Sequence, residues 1–409
     1  MRGPPKKVRL ITADSLQVRM ADLRRVLVYS CAFIGTFTSN AVLALIPELR
    51  GYFQASTAEV LLSISFYMVF FAFFSIFTGS ISDIIGRKKI LVIGLVVYSL
   101  GCAMTALATG LPLFYASRAV QGLGFAFVQP VMVAVLGDVV TPSEKGRAMG
   151  WLTAATTGGV MLGPLIAGYA AAIDWRLAFI AIGMFSIALA LLIQAVLRLP
   201  KLPEQEPNGG SLKENLSLAA RRRGVVMLAL TGFVQMMVWI ATQAFASNAL
   251  GQEPFLASPQ VIGEVLAFAA LCSIAASRLG GGMVDKIGRY RTVLTGTLVM
   301  VVSLVVMGLY TPTIVAYTAS LAVFAAGSAI SWAALLTLTV ELLPDLKGTV
   351  SSLFTSAAFI GGALAPIMLN PVLTNWGTST VHLASAALCS LIFLTITSVA
   401  RDQRAHHVL

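Results

Sequence analysis

Charge is what this chain has least of. Asp, Glu, Lys and Arg make up 11% of its 409 residues, against roughly 25% in ordinary soluble domains. So little charge cannot cover a water-facing surface, which excludes a soluble globular protein. Histidine is scarcer still, with three residues. The four cysteines (Cys31, Cys102, Cys272 and Cys389) all fall inside apolar runs. Few metal ligands and no loop disulfide framework follow, so neither a metal site nor a cofactor is expected. The seventeen acids are peripheral as well as few. Asp83, Asp138, Glu144, Asp285, Glu341 and Asp345 sit at one set of run ends. Glu48, Glu59, Asp174, Glu253 and Glu264 sit at or near the other set, and the remaining six lie in tails and a linker. No acid is central. Nucleotide-binding loops and H-E-x-x-H are missing, and no loop is long enough for a folded domain outside a membrane. An enzyme is not expected.

What is plentiful is apolar. Hydrophobic residues are 57% of the chain, and about 20 in a row cross a hydrocarbon core. Twelve runs qualify: 26–49, 58–81, 90–109, 112–137, 148–172, 177–197, 225–249, 259–283, 291–311, 314–340, 350–372 and 379–400. The first spans and lacks a small-residue cleavage site, so it reads as a helix and not a signal peptide. The fold expected is an all-α polytopic membrane protein of twelve helices in two pseudo-symmetric six-helix bundles. Residues 1–25 form a basic tail, 26–197 the first bundle, 198–224 a polar linker, 225–400 the second bundle and 401–409 a short tail.

The formal charge of +11 invites a nucleic-acid reading. Topology accounts for it better. With both termini cytoplasmic, 24 of the 28 Lys and Arg fall on the cytoplasmic side. Only Arg50 and Arg176 lie outside, and Arg118 and Arg278 lie within runs. This is the positive-inside pattern. The basic excess meets anionic lipid headgroups, and no nucleic-acid partner is expected. The place is a cell membrane, crossed many times, and the expected state is a monomer.

The chain also repeats itself. Gly79-x-x-x-Asp83-x-Ile85-Gly86-Arg87 returns as Gly281-x-x-x-Asp285-x-Ile287-Gly288-Arg289, 202 residues on. Pro142, Lys145 and Gly146 recur as Pro344, Lys347 and Gly348; Gly159 and Pro164 recur as Gly361 and Pro366. A register kept through loops implies two halves built alike, and in a membrane such halves move against each other. In each joint, Gly86 or Gly288 permits a tight turn. The acid can accept from a helix N-terminus or pair with a cation. The joint is either a latch that breaks as the halves rotate or a topology anchor.

GSISDIIGRKKIL resembles the loop 2–3 signature of the major facilitator superfamily, and GGMVDKIGRYR is similar to its loop 8–9 counterpart. The resemblance covers essentially the whole chain. Ile84 departs from it, where the family usually has a base that Lys286 keeps in the second copy. Arg118-Ala-Val-Gln121-Gly122-Leu-Gly124 resembles the helix-4 motif of the twelve-helix drug:proton antiporter branch. Gly150-x8-Gly159-x3-Gly163-Pro164-x2-Ala167-Gly168 resembles its helix-5 motif, with Ala167 replacing a glycine. The resemblance implies a secondary active exporter of a small organic molecule or drug, coupled to protons. The alternative is an importer or exchanger of small organic anions using Arg118 and Arg278.

The residues themselves carry further expectations. Small residues recur every four along helix 5, and Ala357, Gly361 and Ala365 repeat the ladder. Such ladders let backbones approach closely in lipid, and Pro164 and Pro366 bend their helices. The expected result is a pliable seam where the halves meet. Arg118 at the centre of a span costs roughly 2.5–3.5 kcal/mol on insertion scales. It should share a wet face with Gln121, Phe125 and Gln129, either for the proton coupling that the resemblance implies or as a hydrogen-bond hub. Polar stripes at Thr36 and Asn40, at Gln235, Trp239 and Gln243, and at Ser328 and Trp332 fall on helices 1, 7 and 10. In the family's fold, helices 1, 4, 7 and 10 line the central path. Arg278 either snorkels to headgroups or binds an anion. With no central carboxylate, the coupling proton falls to a peripheral acid such as Glu59 or Glu264, or binds elsewhere, or the coupling is not to protons. A neutral or anionic amphiphile suits such a path better than a strongly cationic drug.

Overall fold

Ser56 and Ser258, a further pair 202 apart, each begin a helix with the same backbone geometry. Ser56 closes a capping box with Glu59, while Ser258 accepts from the backbone N–H of Val261. Caps of this kind satisfy amide donors that the first helical turn leaves open.

The computed structural model describes residues 13–140, 144–197, 212–343 and 346–407. The loop residues 141–143 and 344–345, and linker residues 198–211, lie outside the described residues, and so does the side chain of Asp83. All described elements are helices. They run α1 (Ala13–Ala44), α2 (Ile46–Phe53), α3 (Thr57–Ile85), α4 (Arg87–Ala106), α5 (Leu111–Val139), α6 (Lys145–Ala170) and α7 (Arg176–Val196). Then follow α8 (Leu212–Arg221), α9 (Arg223–Leu250), α10 (Pro259–Ile287), α11 (Arg289–Leu309), α12 (Ile314–Glu341) and α13 (Lys347–His407). The last is two helices joined at Gly377, whose φ of 81° breaks the helical path. Ten helices are long and apolar enough to cross a membrane, and the tenth stretch covers 56 residues, enough for two passes. α6 is not among the ten; with it the passes number twelve. Its glycines and threonines lower its hydropathy. The short α2 and α8 were not anticipated. α2 lies in the first outer loop, and α8 occupies ten residues of the stretch read as a polar linker.

The repeat governs the packing. α1 lies on α6 as α9 lies on α13. The bundles then join through α6 against α10 and α3 against α13, again an equivalent pair. The described hydrogen bonds, ring contacts and glycine approaches between the bundles lie from the outer surface down to Phe71 and Phe359. The Thr57 hydroxyl donates to Asn248 Oδ1 at 2.8 Å, and Arg50 reaches the same oxygen at 3.4 Å. Ser247 donates to the carbonyl of Leu43. Tyr169 donates to Glu264, and Ser65 to the carbonyl of Ala363 at 2.6 Å. The Phe71 and Phe359 rings close the layer, 4.3 Å apart. The structure is shut on the outside.

Of the two outer arginines, Arg50 reaches across to Asn248 and Arg176 is held within its own bundle. Arg176 stacks over Tyr52 and Trp175, 4.5 and 4.8 Å from the ring centroids, and donates to the carbonyl of Ala106 at 2.9 Å. Arg176→Ala is expected to cost about 1–2 kcal/mol, read as a lower melting temperature in detergent. An unchanged melt would show that the stack contributes nothing.

Candidate functional site

The repeated joints show why glycine stands in them. Gly86 and Gly288 have φ of 103° and 82° with extended ψ of 129° and 156°, a region essentially reserved for glycine where a residue with a Cβ costs about 1–3 kcal/mol. Arg87 donates to the carbonyl of Ala134 in α5 at 3.3 Å. Arg289 pairs with Glu341 in α12. Each arginine therefore ties its joint to the fourth spanning helix of its own bundle. These bonds do not cross between bundles, so what they secure directly is the bundle. Asp285 is exposed.

Arg118 does not lie on an open face. It is fully buried, as is Gln121, whereas Gln129, three turns further along α5, is half-buried. The difference comes from the neighbouring helices. A Cβ on Gly122 would stand 2.2 Å from the carbonyl oxygen of Tyr67, and one on Gly124 would stand 2.5 Å from the Tyr98 nitrogen. The two motif glycines thus admit the α3 and α4 backbones at Tyr67 and Tyr98. The Arg118 guanidinium lies 4.7 Å from the centroid of the Tyr67 ring. The Tyr67 and Tyr98 hydroxyls donate to the carbonyls of Gly35 and Ile34 in α1, at 2.9 and 2.7 Å. Sequence reasoning missed both tyrosines, because nothing local to α5 announces them.

A directed chain leads away from Arg118. Its Nη1 donates to Gln121 Oε1, Gln121 Nε2 to Thr105 at 2.7 Å, and Thr105 to Ser117 at 2.8 Å. Ser117 ends the chain on the carbonyl of Phe114 at 2.6 Å. Glutamine suits the second place because it accepts at one end and donates at the other. Nε and Nη2 of Arg118 have no hydrogen-bond partner, and no described acid forms an ion pair with it. Neither peripheral acid supplies one. Glu59 is committed to the cap of α3, and Glu264 is exposed and bonded to Tyr169.

The helix-5 seam divides in two. Cβ atoms on Gly159 and Gly163 would meet the carbonyl oxygens of Phe33 and Phe37, each at 2.4 Å, so these glycines pack α6 on α1 within one bundle. Gly361 does the same for α13 on α9, against Phe233. Among the α6 glycines, Gly168 at the outer end meets the other bundle, at Pro259, and the Pro164 carbonyl meets Gly263 of α10. The expectation of a single seam between the halves is corrected accordingly. A helix has several faces, and a four-residue ladder drifts around it. Pro164 and Pro366 lie inside their helices. Nothing lies within 4 Å of a Cβ at Gly150.

The substrate-contact candidates also sort themselves. Thr36 donates to the carbonyl of Thr156 at 2.8 Å and ties α1 to α6. Asn40 is half-buried and donates to the Thr36 carbonyl. Gln235 is a staple between α9 and α12. It donates to the Ser328 carbonyl at 3.0 Å and accepts from Ser331 at 2.8 Å. Trp239 stacks on Phe324 at 5.9 Å, and Trp332 packs tilted against Phe354 at 5.2 Å; both tryptophans are half-buried. Gln243 is buried with its carbonyl oxygen unpartnered. Arg278 is exposed near the cytoplasmic end of α10. Among the described residues no cluster of His, Cys, Asp and Glu could hold a metal.

Two repeated helical bundles, closed on one side of a membrane, define a transport protein and not an enzyme. The chain belongs to the Major Facilitator Superfamily, whose model matches residues 28–252 and 225–408. It is 23% identical to multidrug resistance protein 2 of Bacillus subtilis over 70% of this chain and 74% of that one. It is also 23% identical to the bacillibactin exporter of the same organism, over 92% and 95%. A bacterial homologue of the human lysosomal transporter Spinster, solved inward-facing and unoccupied, superimposes with a TM-score of 0.78 at 15% identity. That match covers 94% of this chain and 98% of the other. The protein is a multi-pass transporter of a cell membrane.

Proposed function

We propose that the protein exports a small amphiphilic organic molecule by alternating access, in exchange for protons. One observation carries the reading: among the described residues, every described bond between the bundles lies in the outer half, so the path faces the cytoplasm. Such a state loads from inside. The names of the two Bacillus relatives support export over import. Half-buried Asn40, Gln129, Trp239 and Trp332 are the side chains proposed to meet the substrate. Their amides and rings suit an amphiphile. The exposure of Arg278 supports snorkelling over a role with substrate.

For the proton, Glu264 is the acid the geometry supports best, because its bond to Tyr169 joins the two bundles at the outer surface. A carboxylate accepts more strongly than a neutral acid, so protonation from outside loosens the closure and favours opening outward. In reconstituted vesicles, uphill transport is expected only when a pH gradient is imposed. Glu264→Gln should retain downhill transport and lose its dependence on outer pH. Uphill transport indifferent to the gradient would remove protons from the proposal, and accumulation only towards the cytoplasmic side would reverse its direction.

A further inference from the structure

We propose that Arg118 holds a small planar anion with two oxygens, a carboxylate or its nitrate-like equivalent, inside the N-terminal bundle. A guanidinium keeps its charge in a protein. When buried, it calls for a counter-charge that desolvation makes expensive to forgo. The chain supplies none: among the described residues Arg118 is fully buried and has no acidic partner. Its Nη1 is engaged by Gln121. The two atoms left over, Nε and Nη2, are unpartnered. Together they form the side-on edge of the guanidinium, one of the two edges by which it can grip two oxygens side by side. The Gln121, Thr105 and Ser117 chain fixes the orientation of that edge, because its direction ends on a backbone carbonyl.

A second orphan lies one helical turn from Tyr67 on α3. The Ser63 hydroxyl is fully buried and unpartnered. It stands four residues before Tyr67 and so shares its face of α3, and the Tyr67 ring covers the guanidinium. A serine hydroxyl donates to an oxyanion as readily as an N–H does. The equivalent position in the second bundle is Ser320, not a base, so the site belongs to the first bundle alone. The anion is either free in solution or the acid group of the transported amphiphile. Only the second case rests on the transport reading.

The test uses the full chain purified in detergent, melted in sulfate buffer at fixed ionic strength while sodium formate or sodium nitrate is titrated in. Formate and nitrate are expected to raise the melting temperature saturably, as ligands of the native state do. Arg118→Lys keeps the charge but loses the fork, and apparent affinity should fall by roughly tenfold or more. Ser63→Ala leaves the arginine in place and should weaken binding severalfold. No saturable rise with the native sequence, or equal affinity in both variants, overturns the site. Benzoate that competes with formate, where benzyl alcohol does not, assigns the anion to substrate. Formate binding that benzoate cannot displace assigns it to a free ion, and either result upholds the site. Formate binding with no transport in vesicles would count against the transport reading alone.

Discussion

Gly122→Val is expected to abolish transport. The native position leaves no room: a single Cβ would stand 2.2 Å from the Tyr67 carbonyl oxygen, which belongs to a helix backbone and cannot swing aside. Valine therefore drives α3 from α5 at the level of Arg118 and lifts Tyr67 off the guanidinium. Overpacking of a tight interior typically costs 1–3 kcal/mol, and more is expected where backbone meets backbone. The transport rate in vesicles should fall by more than about tenfold, with a lowered melt. Helix propensity works the other way, since valine suits a helix better than glycine, so a loss can be assigned to the contact. Gly51→Val, in α2 and outside every motif, is the control. Nothing lies within 4 Å of a Cβ there, and it should transport like the native protein. A Gly122→Val protein with native rate and melt would sink this account of the motif.

The second large effect is a lock. The 2.8 Å bond from Thr57 to Asn248 joins the bundles at the outer surface. Cysteines at both positions are expected to be joined by a short bis-methanethiosulfonate cross-linker, which spans a gap wider than a direct disulfide can and is cleaved by reductant, since the two side chains touch across the bundles. The cross-linked protein should stop transporting almost completely, and a reductant should restore it. Cys31, Cys102 and Cys389 are buried and can stay; Cys272 is half-buried and is best replaced by serine. Each single cysteine should transport normally. Full transport by cross-linked protein would mean that the outer closure never opens, and alternating access would fail with it.

Much of this was legible in the chain. The 202-residue register, the spans and the turn glycines Gly86 and Gly288 are local signals, and each reappears in the structure. A repeat can be read without knowing any contact. The site was less legible because its contacts are long-range. That Arg118 sits beside Tyr67 depends on α3 approaching α5, which only the position of Gly122 hints at. The same gap explains the seam. A ladder of small residues shows that some helix comes close but not which one, so Gly159 and Gly163 were assigned to the wrong partner. Asn248 gave no signal in sequence. It is one polar residue at the end of an apolar run, with Ile46 at the equivalent place in the first half.

The composition of α6 reaches back to how the protein is made. Its glycines and threonines bring it against α1, and they also leave it short of the hydropathy that ten other stretches reach. A segment like this gains little by entering lipid alone. Its insertion during synthesis is expected to depend on helices already in the bilayer, α1 above all, whose backbone at Phe33 and Phe37 receives Gly159 and Gly163; insertion of α6 fused alone to a reporter, as efficient as in the full chain, would refute this. Enriching α6 in leucine would ease its entry and spoil its fit, so the same residues set the order of assembly and the shape that results.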